Sequence, residues 1–272
     1  MGKFSGILFC TDLDGTILNS SGKVSEQNKK AIEYFQSEGG TFTFITGRMP
    51  YVSGAIYDMI RPNAPFGCIN GGGIFDKNKN DYLWCETLPV DILDSVRYVY
   101  ENHPAISIQI NCKSQIYFLH DNESTKHFRE ITGHPFVTTE IDELDEPICK
   151  VVFNTLDVDY LHRIRKEVEA LPNAGLFDFT MGADTYFELL PKSCNKGTLL
   201  IKMAKLLGYD MAKTVAVGDY ENDLVMIKVA GIGYAVANAC TELKAAADRI
   251  TVSNDEHAIA RIIEDLDKEI NV

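Results

Sequence analysis

The chain carries no surplus of positive charge: 26 Lys and Arg stand against 39 Asp and Glu, a formal net charge of −13 at pH 7. That argues against a nucleic-acid backbone as the principal partner, because neutralising phosphates along a strand needs clustered cations. A small anionic substrate stays possible, since a few local cations can invert the field inside a site. A closely spaced cysteine pair is also lacking. Cys10, Cys68, Cys85, Cys112, Cys149, Cys194 and Cys240 never fall in a C-x2-4-C spacing, so no structural zinc site is expected. An odd, scattered set reads as buried thiols in a reducing compartment. No apolar run approaches the roughly 18 residues of a membrane span. Met1-Gly2-Lys3 leads straight into a short strand without the pattern of a signal peptide, and a cytoplasmic location is the expectation. There is no internal repeat and no low-complexity tract.

What is present is ordinary globular composition, 45% hydrophobic and 24% charged over 272 residues, enough for one large or two modest domains with a real core. Ile7-Leu8-Phe9-Cys10 predicts a strand. Ser25 predicts an N-cap for a helix running to about Glu38, ended by Gly39-Gly40. The segment Thr41–Thr46 predicts a second strand and Phe66–Asn70 a third, so the alternation implies right-handed βαβ crossovers and a parallel sheet. From about Gly73 the texture changes to a hairpin, Ile74-Phe75 and Tyr82-Leu83-Trp84, around Lys77-Asn78-Lys79-Asn80. Residues 88–190 read as a second unit, with helices near Asp91–Glu101, Glu123–Ile131 and Val158–Leu171. Its strands fall near Ile106–Asn111, Gln115–Leu119, Lys150–Asn154 and Tyr186–Leu189. Two consecutive strands around Cys112-Lys113-Ser114 imply an antiparallel α+β sheet. The first texture returns after Pro191, with a helix from Gly197 to Leu207, a strand Thr214–Val217, a helix after Tyr220 and apolar stretches at Gly231–Val236 and Ile250–Val252. Residues 88–190 are therefore expected to be an insertion into a discontinuous domain, 1–87 and 191–272.

The most informative residues are Asp12-Leu13-Asp14-Gly15-Thr16, two carboxylates with one residue between them after an apolar run. In an extended segment they face the same way, and Gly15 allows a sharp turn. A calcium loop would close with a Glu in its twelfth position, but Lys23 stands there, which argues against an EF-hand. At the carboxyl end of a parallel strand, such a pair can hold a hard cation, attack phosphorus and move a proton. Thr46-Gly47-Arg48, followed by Met49-Pro50 at a helix opening, predicts a hydroxyl and backbone N–H groups at an anion site. Lys196 offers an ammonium where the post-insertion helix begins. Gly218-Asp219-Tyr220-Glu221-Asn222-Asp223 concentrates acids at a strand-to-helix junction, which repel one another unless a cation sits among them. His120, His127 and His134 recur every seven residues, without the i, i+4 pair of a zinc-binding H-E-x-x-H helix, and read as surface or loop residues.

Taken together and in this order, Asp12-x-Asp14-Gly15-Thr16, Thr46-Gly47-Arg48, Lys196 and Gly218-Asp219-x-x-Asn222-Asp223 resemble the four motifs of the haloacid-dehalogenase-like (HAD) superfamily. The insertion between the second and third motifs, Asn70-Gly71-Gly72 and Gly231–Ala239 are similar to its Cof-type branch with a C2 (type IIB) cap. Ala237 departs from the pattern, since many relatives have Gly before the Asn. The resemblance covers essentially the whole chain. It implies an α/β fold, a Rossmann-like doubly wound parallel sheet core with an inserted α+β cap, and an Mg2+-dependent phosphatase acting on a small phosphorylated metabolite. By the same resemblance Asp12 is the nucleophile that forms an aspartyl-phosphate. Asp14 protonates the leaving alkoxide and then activates water. Mg2+ is held by Asp12, the Asp14 carbonyl and Asp219. Phosphate is contacted by Leu13, Thr46, Gly47, Lys196 and Asn222, with Arg48, Asn70 and Asp223 in support. Asp14 argues against an ATP-driven pump, which carries Thr there, and against a dehalogenase, which lacks the second acid. A phosphomutase of the phosphomannomutase type and a catalytically silent binding protein remain as alternatives. The cap is expected to close over the site and choose the substrate, among sugar phosphates, nucleotides, flavin mononucleotide and pyridoxal phosphate.

Overall fold

Leu8–Thr11 forms the first strand (β1), buried at every position, as a strand covered on both faces must be. The computed structural model describes residues 2–270. Along the first stretch β1 is followed by α1 (Glu26–Ser37), β2 (Thr41–Phe44), α2 (Gly54–Ile60), β3 (Phe66–Cys68), β4 (Gly73–Asp76) and β5 (Asp81–Cys85). The middle stretch holds α3 (Ile92–Asn102), β6 (Ser107–Cys112), β7 (Ile116–Leu119), α4 (Glu123–Thr132), β8 (Ile148–Asn154), α5 (Val158–Glu169), β9 (Phe177–Ala183) and β10 (Tyr186–Pro191). The last stretch holds α6 (Lys196–Leu207), β11 (Thr214–Gly218), α7 (Leu224–Val229), β12 (Ile232–Ala235), α8 (Thr241–Ala246), β13 (Arg249–Ile250) and α9 (Ala258–Ile270). The chain divides into two compact units, Met1–Trp84 with Asn195–Val272, and Cys85–Cys194.

The first unit is built on a parallel sheet in the order β13-β12-β11-β1-β2. From β1 the chain moves one way, through α1 to β2; from β11 it moves the other way, through α7 to β12 and α8 to β13. Right-handed crossovers therefore put α1 on one face and α7 and α8 on the other. The sheet reverses direction between β1 and β11, and at such a switch point the carboxyl ends of the strands diverge to leave a crevice. On the α1 face Phe4, Phe9, Phe35 and Phe42 pack ring to ring, with adjacent centroids 4.7 to 6.5 Å apart. Ser25 caps α1 as the sequence predicts, accepting from the Asn28 N–H. The buried Asn28 then accepts from the Ala260 N–H, tying α1 to α9. Helix α9 is an amphipathic element the motif-led reading passes over, although Ile259, Ile262, Ile263 and Leu266 are buried at helical spacing.

The third predicted strand needs correcting. Instead of extending the parallel sheet, β3 touches it through one parallel bridge, Ile45 with Gly67, and pairs antiparallel with β4 in a separate β3-β4-β5 sheet. Ile69, Asn70 and Gly71 follow with φ of 60°, 47° and 112°. For a β-branched residue such a value is strained, and the cost is borne where the chain must turn toward the site.

The inserted unit is an antiparallel sheet ordered β7-β6-β8-β10-β9, with the β6–β7 hairpin at the predicted place. Its register aligns Ile108, Ile110, Val151, Phe153, Phe187 and Leu189 on one face. Helix α5 packs against β10 and also against α3. The opposite face carries Gln109, Asn111, Lys150 and Glu188, and Lys150 Nζ donates to Glu188 Oε1 at 3.0 Å. Strand β9 is absent from the sequence reading. It is a half-exposed edge strand, although Phe177, Phe179, Met181 and Ala183 alternate with Asp178, Thr180 and Gly182 as a strand pattern should.

Candidate active site

Strand β1 ends at Thr11, and the chain then turns through Leu13–Ile17 with Gly15 at φ 72°. The strand stops short of both acids, so face alternation does not place Asp12 and Asp14. Asp12 is 6% exposed, and its Oδ1 accepts from Lys196 Nζ at 2.6 Å. Asp14 is exposed instead and is gripped by Arg48, with Nε to Oδ2 at 2.8 Å and Nη2 to Oδ1 at 2.6 Å. The two acids thus leave the strand tip with different partners.

Lys196 is the first residue of α6, behind the N-cap Asn195, whose side chain accepts from the Thr198 N–H while the Thr198 hydroxyl accepts from the Asn195 N–H. An ammonium is disfavoured at a helix N-terminus by the dipole. Carboxylates overcome this: Nζ donates to Asp12 and also to Asp223 Oδ1 at 2.7 Å. The second Asp223 oxygen accepts from the N–H groups of Asp219 and Tyr220, so one buried carboxylate holds both the lysine and the loop after β11. The spacing requires Gly218, because a Cβ there would sit 2.4 Å from the Asp223 carboxyl carbon.

Asp219 faces the turn after β1 across the switch point. It accepts from the Thr16 hydroxyl at 3.0 Å, and a Cβ on Gly15 would lie 2.3 Å from its Oδ2. Asn238 Nδ2 donates to the Gly15 carbonyl at 2.8 Å and steadies the same turn. Thr16, Gly218 and Asn238 all lie in segments the sequence reading singles out, but it gives none of them a role. Their hydrogen-bonding or close-contact duty shows only once both strand ends are side by side.

Asp12, Asp219 and Asp223 each offer a carboxylate oxygen, and these atoms lie within 4.8 Å of one another. Burial, then repulsion from Asp223, raises the Asp12 carboxyl well above the ordinary range, although Lys196 works the other way. Burial and Asp223 likewise push Asp219 up to about 7. Burial opposes the Lys196 charge, but its two carboxylate partners outweigh it and raise its pKa. With all three acids ionised around one ammonium the buried cluster would be negative, the repulsion that raises these carboxyls, and a bound cation would relieve it. All three donors are hard carboxylate oxygens, without thiol or imidazole, which suits magnesium chemistry. The Asp14 carboxylate stands outside this cluster.

A second group adjoins the first. Thr46 accepts through its carbonyl from the Asn70 N–H at 3.1 Å, Gly47 leaves room for the Asn70 amide, and Asn222 Nδ2 donates to Asn70 Oδ1 at 2.9 Å. Gly71 lets this turn abut Asn195, since a Cβ would come within 2.3 Å of the Asn195 carbonyl. The helical opening expected at Met49-Pro50 is there, a short 3-10 turn Pro50–Val52 with Pro50 in its first turn. Of the backbone donors expected before it, the Thr46 N–H is spent on the Gly67 carbonyl and the Arg48 N–H on Thr46 Oγ1. Leu13 is fully buried by its side chain, which leaves only its backbone for a ligand. His134 Nε2 accepts from the Ile116 N–H, and among the described residues no histidine joins the acidic cluster.

Known proteins show the same arrangement of chain. Residues 9–263 match the family model of haloacid dehalogenase-like hydrolases. A putative phosphatase of Bacillus subtilis, YxeH, is 28% identical over 95% of this chain and 97% of its own length. A second B. subtilis protein, the 5-amino-6-(5-phospho-D-ribitylamino)uracil phosphatase YitU, is 26% identical over 95% of this chain and 96% of its own. Among solved structures, the HAD subclass IIB sugar phosphatase BT4131 superposes with a TM-score of 0.85 at 18% identity, covering 96% of this chain and 99% of that one. The helices wound on both faces of a parallel sheet, the antiparallel insertion and the family match over nearly the whole length agree: the chain belongs to the haloacid dehalogenase-like hydrolases, with the fold of their subclass IIB phosphatases.

Proposed function

We propose that the protein is an Mg2+-dependent phosphatase that hydrolyses small phosphate monoesters through an aspartyl-phosphate on Asp12. The observation that carries the reading is the buried cluster in which Lys196 bridges Asp12 and Asp223 with Asp219 beside them. A carboxylate attacking an already anionic phosphate needs that repulsion neutralised, and catalysis of phosphoryl transfer is mostly positioning and charge stabilisation. Bound Mg2+ would supply that neutralisation from Asp12, Asp219 and the Asp14 carbonyl; the close passage of Gly15 against Asp219 supports this set. Lys196 adds a second positive charge. Thr46, Gly47 and Asn222 orient the phosphoryl oxygens, while Asn70 holds the Asn222 amide and Asp223 holds Lys196.

Asp14 then gives a proton to the departing alkoxide and afterwards takes one from the attacking water, a role typically contributing about 10²–10⁴-fold. Arg48 steadies that carboxylate until substrate arrives. Choice of the alcohol is assigned to the inserted unit. Because YitU is named for a ribityl phosphate ester, such an ester belongs beside sugar phosphates, nucleotides, flavin mononucleotide and pyridoxal phosphate in the assay panel. The test is release of inorganic phosphate from that panel with and without Mg2+, comparing wild type with Asp14→Asn. The variant is expected to lose about 10²-fold or more in phosphate release on every ester, because hydrolysis of the aspartyl-phosphate loses its base, while the first-turnover release of p-nitrophenolate, whose leaving group needs no acid, is largely kept. First-turnover losses as large for p-nitrophenolate as for alkyl alcohols would overturn the assignment of Asp14 as the acid, and metal-independent turnover would overturn the reading as a whole.

A further inference from the structure

Seven cysteines scattered through the sequence read as inert buried thiols, but the fold brings two of them together. Cys85 and Cys149 are 64 residues apart in the chain and 3.8 Å apart at sulfur. Cys85 is the first residue of the inserted unit, where β5 ends, and Cys149 lies in β8. The Leu88 N–H donates to the Ile148 carbonyl at 2.7 Å, which pins the segment after Cys85 alongside that strand. The pair is asymmetric: Cys85 is half-buried, whereas Cys149 is fully buried.

We propose that Cys85 and Cys149 form an oxidisable dithiol site that reacts with a hydroperoxide and closes to a disulfide. In the first step the Cys85 thiolate attacks the outer peroxide oxygen, the O–O bond breaks, and a proton completes the departing water or alcohol, leaving a sulfenic acid. In the second, the Cys149 sulfur attacks the Cys85 sulfur, the S–O bond breaks, and the Cys149 proton leaves with the hydroxyl as water. The thiols lose two electrons and the peroxide gains them. A disulfide needs sulfurs about 2.05 Å apart, so the pair closes by small side-chain rotations. Either sulfur can donate in the contact between them; with Cys149 as donor, that hydrogen bond holds the Cys85 thiol below its ordinary pKa against its burial, the Lys113 ammonium adds to this, and Cys149 is pushed up, so it keeps its proton until the second step. Attacking thiolate and resolving thiol are thus distinguished by their surroundings.

The experiment is peroxide treatment of the purified full chain, followed by non-reducing intact mass and peptide mapping. The expected result is a monomer lighter by about 2 Da, the loss of two hydrogens on forming a disulfide, with Cys85 and Cys149 in one cross-linked peptide pair. In Cys149→Ser the sulfenic acid is expected to persist on Cys85 and to be trapped there by dimedone. Cys240, also half-buried and with no second thiol beside it among the described residues, reports that peroxide has reacted. Oxidation of Cys240 without the Cys85–Cys149 link, or a link joining any other pair, would overturn the proposal. Should Cys149→Ser not fold, the wild-type peptide map decides alone.

Discussion

Lys196 in the first unit and Lys150 in the inserted unit are both buried ammonium groups, with side chains 1% and 8% exposed, and both are hydrogen-bonded to carboxylates. Lys150 faces Glu188 across neighbouring strands of a regular sheet, one charge of each sign. Lys196 sits among Asp12, Asp223 and Asp219, at loops after two strands and the start of a helix, with negative charge in excess. Each desolvated charge costs free energy that only a partner offsets. A paired charge completes a structure, whereas an excess of one sign asks for something more. The contrast supports the proposal that the Lys196 cluster is the site and Lys150–Glu188 part of the framework.

The sharpest way to break that contrast is to remove charges from each side. Asp12→Asn is expected to lower phosphate release by at least about 10⁴-fold, since it removes the attacking group itself. Lys196→Met follows, at about 10³-fold in turnover, comparable to loss of a strong electrostatic stabiliser. Steady-state kinetics on the best ester of the panel check both, with circular dichroism confirming the fold. In the framework pair the expected effect is on stability. Lys150→Met alone should cost about 3–5 kcal/mol by removing the ammonium that offsets a buried carboxylate, while Lys150→Met with Glu188→Met should cost much less. Denaturant melts distinguish these outcomes, and a double variant as unstable as the single one would contradict the framework role.

The smallest expected effect concerns protons and metal. Asp219 is raised to about 7 in the metal-free protein, above the value near 3.9 of an unfolded chain. Between those values the folded state holds a proton that the unfolded state has lost. Its stabilising contribution is therefore complete below about pH 4 and disappears as pH rises through 7. Magnesium must displace that proton, so the rise in Tm on adding Mg2+ should grow from pH 5.5 to 7.5 and then level off. Calorimetry at matched ionic strength measures it, and Asp219→Asn should lessen the pH dependence, leaving the share of Asp12, which burial also raises. A gain from Mg2+ that does not change with pH would separate the metal from Asp219.

Much of the fold was legible because short motifs sit where chain geometry is constrained. Ser25 capped its helix, the hairpin around Lys77–Asn80 formed as β4 and β5, and the insertion emerged as an antiparallel sheet. The reading of β3 went astray because an apolar run of strand formers does not specify its partner. Strand β9 carries a legible alternation of Phe177, Phe179, Met181 and Ala183, but its place at the edge beside β10 follows only from sheet pairing, just as the engagement of the Thr46 N–H depends on Gly67, a remote residue.

The sequence by itself determined the chemical inventory and its order along the chain: two acids before a glycine, a Thr-Gly-Arg, a lysine after a long insertion, and an Asp-x-x-Asn-Asp. Covalent neighbours and local backbone preferences suffice for that. Tertiary structure decided the pairings, separating Asp12, bound to Lys196, from Asp14, held by Arg48, and bringing Cys85 within 3.8 Å of Cys149. These contacts join residues far apart in sequence, and only the register of strands and the packing of helices brings such residues to bonding distance.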